Sequence, residues 1–169
     1  MLMTDLMTKE QWADFERKLH EERQLNACAY NAEGFTFTGF KNFINPLCAE
    51  IKSYPAGIQQ ICSVAHQHMA KQAQATGRTV VEQCDAGLLK ITTPVFVDGE
   101  FVGIVGGCGR LAAGEKVETF AVHKATGSAL DKVEDLAGKA PSITMSQADD
   151  IVEYLEEFVA KLVACSAEA

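Results

Sequence analysis

With 169 residues and a formal charge of -8 from fifteen basic and twenty-three acidic side chains, the chain has the size of one domain with a substantial core. The acidic balance disfavours direct nucleic-acid or anionic-lipid partners, and basic residues stand singly apart from Arg17-Lys18 on a glutamate-rich helix. Hydrophobic residues at 47%, charged residues at 22% and only four prolines exclude a largely disordered chain.

The start, Met1-Leu2-Met3-Thr4-Asp5-Leu6, has neither the basic region nor the apolar run of a signal peptide, and no stretch of eighteen apolar residues follows. A cytoplasmic location with no membrane contact is the expectation. Six cysteines are then the informative feature, because that compartment keeps ordinary disulfides reduced. They are read as buried small hydrophobes, metal ligands or reactive thiols.

Thr8 with Gln11 forms a capping box, and Trp12, Phe15 and Leu19 recur at helical spacing, which predicts a helix from Lys9 to Arg23. Asn26 to Asn31 reads as a strand, turning at Ala32-Glu33-Gly34 into a second strand over Phe35 to Thr38. Phe43, Ile44, Leu47, Cys48 and Ile51 predict a short helix within Asn42 to Lys52, interrupted at Tyr54-Pro55-Ala56-Gly57. Ile58 to Ala75 is free of internal glycine and proline and predicts a long helix that ends at Gly77.

Thr79, Val80 and Val81 lead a strand towards Cys84, and Leu88 to Val97 reads as another, with Pro94 inside it. Asp98-Gly99 is a type I′ hairpin signal, and Phe101 to Gly107 is the return strand. The glycines from Gly103 to Gly109 lie on the far arm of this hairpin and do not open a helix, which argues against a dinucleotide fingerprint and for close backbone packing. Glu115 to Thr126 reads as a helix ending at Gly127, and Ser128 with Asp131 opens another that carries Leu130, Val133 and Leu136. The last helix starts near Ser146, and its stripe of Ile151, Val152, Leu155, Phe158, Val159 and Leu162 either closes the domain or joins the terminal helices of a homodimer.

The centre of the chain resembles the PocR sensory domain family, ligand-sensing modules of PAS/GAF-like type. The likeness lies in Leu47-Cys48-Ala49-Glu50-Ile51, in Pro55-Ala56-Gly57 leading to Cys62, and in Ala75-Thr76-Gly77-Arg78 leading to Cys84-Asp85-Ala86-Gly87-Leu88. It continues through Thr93-Pro94-Val95-Phe96-Val97-Asp98-Gly99-Glu100 and Val102-Gly103-Ile104-Val105-Gly106-Gly107, and covers one unit from Lys9 to Ala164. The resemblance implies an α+β fold, a mainly antiparallel central sheet flanked by helices, with a small-molecule cavity between the sheet and the helices on one face. It further implies a sensor that acts through a separate signalling protein. The chain departs from the family at Tyr30-Asn31, where an aspartate is usual, and at Cys108, where glutamine is frequent.

In such a fold Cys48, Cys62, Cys84 and Cys108 would surround one cavity and could supply four thiolates to zinc or an iron–sulfur cluster. Inert core packing and reversible thiol chemistry stay open beside that reading. His66 shares a helix face with Cys62, and Tyr30, Phe43 and Phe96 are candidate pocket walls. The ligand-binding candidates are therefore Tyr30, Phe43, Cys48, Cys62, His66, Cys84, Phe96 and Cys108, with no catalytic residue among them. A cofactor-dependent redox enzyme and a structural protein with inert cysteines are the competing functions.

Overall fold

A computed structural model describes residues 1–167. The Thr8 side chain accepts the Gln11 N–H while the Gln11 side chain accepts the Thr8 N–H, so the predicted capping box forms and starts helix α2 (Lys9–Arg23). A single turn, α1 (Met3–Leu6), precedes it and has no periodicity by which to be foreseen. Its Met3 carbonyl accepts the buried Trp12 indole N–H at 2.8 Å. Strand β1 (Asn26–Asn31) follows. The expected second strand over Phe35 to Thr38 does not form: its pairing is reduced to one bridge between Tyr30 and Thr36, and the segment from Ala32 to Asn45 runs as a loop.

That loop covers β1, which is an edge strand whose outward backbone groups need partners. Side chains supply them. The Ala29 N–H donates to Glu16 Oε1 at 2.8 Å, and Asn42 pairs with both the N–H and the carbonyl of Ala27.

Helix α3 (Pro46–Lys52) starts later than the apolar spacing suggests, because Asn45 caps it by accepting the Cys48 N–H at 2.7 Å and Pro46 fits the first turn. Pro55 likewise sits in a first turn and not at a break: α4 (Pro55–Gly57) runs into a π-helical stretch (Ile58–Ser63) and then α5 (Val64–Thr76). The predicted long helix is thus interrupted by a wider coil at its start. Gly77 adopts the left-handed conformation that ends α5.

Strands β2 (Val80–Gln83), β3 (Leu89–Val97) and β4 (Glu100–Ala112) complete an antiparallel sheet in the order β1-β4-β3-β2, with a bulge near Pro94 at Val95/Phe96. Asp98 and Gly99 both have positive φ, as the hairpin signal requires. β4 runs five residues past the expected Gly107 because its end pairs in parallel with β5 (Ser142–Ile143). At Gly106 a Cβ would lie 2.0 Å from the Ile91 carbonyl oxygen, so this glycine serves close strand approach.

Helix α6 (Thr119–Thr126) is shorter than expected, and α7 (Leu130–Ala137) is capped at Ala129 without a side chain. Ser128, the expected cap, donates its hydroxyl to Glu50 Oε1 at 2.8 Å and ties α7 to α3. Helix α8 (Met145–Ala167) lies across the sheet with α2. Ile151 and Leu155 are buried with Trp12, Leu19, Ile91, Val95 and Val105, and Phe158 stacks on Phe15 at 4.2 Å, which is the intramolecular closure. No helix among the described residues is long and apolar enough to cross a membrane.

Side chains alternate across the sheet. One face sends Ala27, Ala29, Ile91, Val95 and Val105 to the α2/α8 core. The opposite face carries Asn26, Cys28 and Tyr30 of β1, Ile104 and Cys108 of β4, and Lys90 of β3. It turns those polar and sulfur groups towards α3, the π-helical stretch and α5, and there the packing is incomplete.

Candidate functional site: a cavity with a cysteine-lined floor

A half-open cavity of about 990 Å³ lies between that second sheet face, the Ala32–Asn45 loop and the helices from α3 to α5. Tyr30, Phe43, Cys62, His66 and Cys108 all line it, joined by Cys28, Asn26, Asn42, Ile104 and Phe101. Beneath it sits a smaller chamber of about 50 Å³, bounded by Cys48, Cys62, Cys84, Cys108, Lys90, Leu88 and Ile61. Tyr30, Asn26, Lys52, Cys62 and Cys108 belong to both walls, so the chamber is the floor of the cavity.

Seven of the eight candidate residues are thereby brought to one place. Phe96 is the exception: it pairs with Phe101 across the hairpin, rings 5.5 Å apart, and lines neither space. Of the lesser histidines, His68 is exposed and faces Glu82 at 3.4 Å, outside the cavity.

His66 stacks on Tyr30 with ring centroids 3.9 Å apart, and its Nδ1 is buried without a hydrogen-bond partner. Burial, reinforced by the Lys90 charge, holds its pKa down at about 4, so the ring is a neutral imidazole near pH 7. The Tyr30 phenol is held well above its ordinary range, first by the neighbouring Cys28 sulfur and then by burial. It stays a neutral O–H.

The sulfurs differ in their partners. Cys28 donates its S–H to the Gly106 carbonyl at 3.6 Å, and burial raises its pKa. Burial pushes Cys48 up to about 12 and Cys62 to about 11. Cys48 nonetheless accepts the Asn45 side-chain amide at 3.4 Å and Cys108 accepts the Asn26 amide at 3.8 Å, while burial raises the pKa of Cys84. Donors aimed at sulfur favour electron-rich sulfur. Among the described residues, however, no three Cys, His, Asp or Glu side chains stand in metal-ligating geometry. The four cysteines share a chamber without forming a preassembled coordination shell.

Sequence reasoning missed Lys90, Asn26, Asn42, Asn45 and Glu16. For Lys90 the signal was present: a lysine inside the otherwise apolar run Leu88-Leu89-Lys90-Ile91 of a buried strand. It is 5% exposed, and its Nζ stands 5.8 Å from the Tyr30 ring centroid. Glu16 is buried as well, its carboxylate accepting the Ala29 N–H and the Thr38 hydroxyl, while burial raises its pKa. Asn26 and Asn45 were legible only as polar residues near a strand and a helix start.

An antiparallel sheet flanked by helices, with a lined, half-open cavity between the sheet and the helices of one face, defines the class of PAS/GAF-like sensory domains. A family model described as the sensory domain found in PocR matches residues 5–166, nearly the whole chain, and the protein belongs to that family. No curated protein and no solved structure matches it.

Proposed function

We propose that residues 9–164 form one sensory unit that takes a small organic molecule into the cavity between the sheet and α3–α5, and passes the signal to a separate protein in the cytoplasm. The observation that carries this reading is the cavity itself: about 990 Å³, half open, and lined by aromatic side chains together with the unpaired His66 Nδ1. An apolar enclosure with a few convergent polar atoms is the usual form of a small-ligand site. Binding there would join the loop over β1 to α5, since Tyr30 and Phe35 on one side and His66, Ala70 and Gln74 on the other line the same space. A ligand that prefers the joined arrangement shifts its population.

Ala70→Trp, which fills the cavity from α5, tests this. Native mass spectrometry and thermal-shift screening should detect a bound small molecule in the wild type and lose it in the variant, with the fold kept by circular dichroism. Equal binding in both would refute the site.

A second reading is favoured by the amide N–H groups of Asn45 and Asn26 directed at Cys48 and Cys108: the floor cysteines, Cys62 and Cys84 included, close on a metal when one is offered. A floor of about 50 Å³ suits a single ion such as zinc better than an iron–sulfur cubane. Tetrathiolate binding requires the sulfurs to draw together and lose protons. Anaerobic purification followed by zinc, iron and acid-labile sulfide analysis decides it, with one zinc per chain that disappears in Cys84→Ser as the supporting result. A homodimer through the α2 and α8 ends is a further proposal, checked by the mass in solution.

A further inference from the structure

The floor chamber contains a charge without a counter-charge. Lys90 lies near the start of β3, 95% removed from solvent, and among the described residues its ammonium makes no hydrogen bond and meets no carboxylate within 4.0 Å. Glu82, its register neighbour on β2, is turned to His68 instead. A buried ammonium is expensive to leave unpaired, so such a group marks a place where something else completes the pairing. Burial works against its charge, and the sulfurs of Cys28, Cys108, Cys84 and Cys62 work for it, so that its pKa ends above the ordinary lysine value.

The surroundings have the same sign. In a protein of net charge -8, the cavity wall carries Lys41, Lys52 and Lys71 against Glu16 and Glu33, and Glu16 is engaged by Ala29 and Thr38. With Lys90 at the floor, the cavity is a basic recess in an acidic surface. The floor volume of about 50 Å³ admits a carboxylate head but leaves the body of a ligand to the larger space above. Lys90 is the buried ammonium of this floor and matches the single charge of a carboxylate, with Lys52, Asn26 and Tyr30 lining the same chamber.

We infer that the small molecule sensed here is a carboxylic acid, held with its carboxylate on Lys90 in the cysteine-lined floor and its carbon chain between Tyr30, Phe43, Ile104 and His66. This rests on the small-molecule reading of the cavity. Lys90 then determines the charge class of the ligand, and Lys52, common to floor and cavity, supports entry of the anion. Neutral compounds of the same length leave the ammonium unpaired and bind less well.

The test uses the full chain, freed of metal with EDTA, and matched probes: butyrate against butan-1-ol, hexanoate against hexan-1-ol, and glutarate against pentane-1,5-diol. Isothermal titration should give the acid of at least one pair a Kd ten or more times lower than its alcohol. Lys90→Gln, which keeps a polar side chain without charge, should bring acid and alcohol within twofold, and Lys90→Arg should restore the preference. Native mass spectrometry of the protein as purified gives an answer that needs no variant, because any retained cargo must carry a carboxylate. Alcohols that bind as tightly as acids, a preference that survives Lys90→Gln, or a neutral cargo each overturn the assignment while leaving a small-molecule sensor. A wild type that binds no probe and carries no organic cargo removes both the assignment and the sensor reading.

Discussion

His66 gives the cavity a pH signature that can be worked out beforehand. In the folded protein its pKa is about 4, against an ordinary value of 6.5 when the chain unfolds. Between those values the unfolded chain holds the extra proton, so stability rises with pH through this window and falls as the pH drops towards 4. From pH 7.5 to pH 5 the histidine alone removes about 2 kcal/mol, most of the protonation cost being incurred below pH 6.5. The replacement His66→Phe keeps an aromatic plane for the Tyr30 stack but does not titrate. Glu16, whose pKa burial raises, works in the opposite sense by favouring the folded state at lower pH, and it is present in both proteins. The difference between them therefore isolates His66. Urea denaturation of wild type and variant at pH 7.5, 6.5, 5.5 and 5.0 should show the variant gaining progressively on the wild type below pH 6.5. Parallel curves across that range would refute the buried, neutral imidazole.

Two changes probe the frame that holds the cavity. Trp12→Ala removes a fully buried indole that bonds the Met3 carbonyl and packs edge-on to Phe15, Phe37 and Phe158; urea unfolding should show a loss of about 3–5 kcal/mol. Gly106→Ala places a methyl against the Ile91 carbonyl and forces β3 and β4 apart, so it should cost about 1–3 kcal/mol and weaken ligand binding on the neighbouring face; a neutral effect would contradict the close strand approach.

Local chemistry in the sequence settled much of the frame. The Thr8–Gln11 box fixed the start of α2, Asp98-Gly99 fixed the β3–β4 hairpin, and Gly77 and Gly127 closed their helices, because each signal acts within a few residues of itself. The ordered cysteine and glycine segments also carried the family likeness, and a cavity lies between the sheet and the helices on one face.

What escaped were features decided by distant partners. Phe35 to Thr38 had strand-like residues, yet β1 met its edge requirement through Glu16 and Asn42 and left only the Thr36 bridge. The apolar turn at Tyr54–Gly57 became helical, and α5 began with a π-helical stretch, where α3, α4 and α6 pack together. Phe96 alternates correctly in sequence, but the bulge at Val95/Phe96 and the pairing with Phe101 keep it off the cavity. Lys90 is the sharpest case. Composition registers only one lysine among fifteen basic residues, whereas the folded sheet removes it from water among sulfurs and leaves its charge unpaired. Sequence thus determined the elements whose causes are local; the tertiary structure alone decided which face was left underpacked and which charge it buried there, because burial and pairing depend on residues brought together from far along the chain.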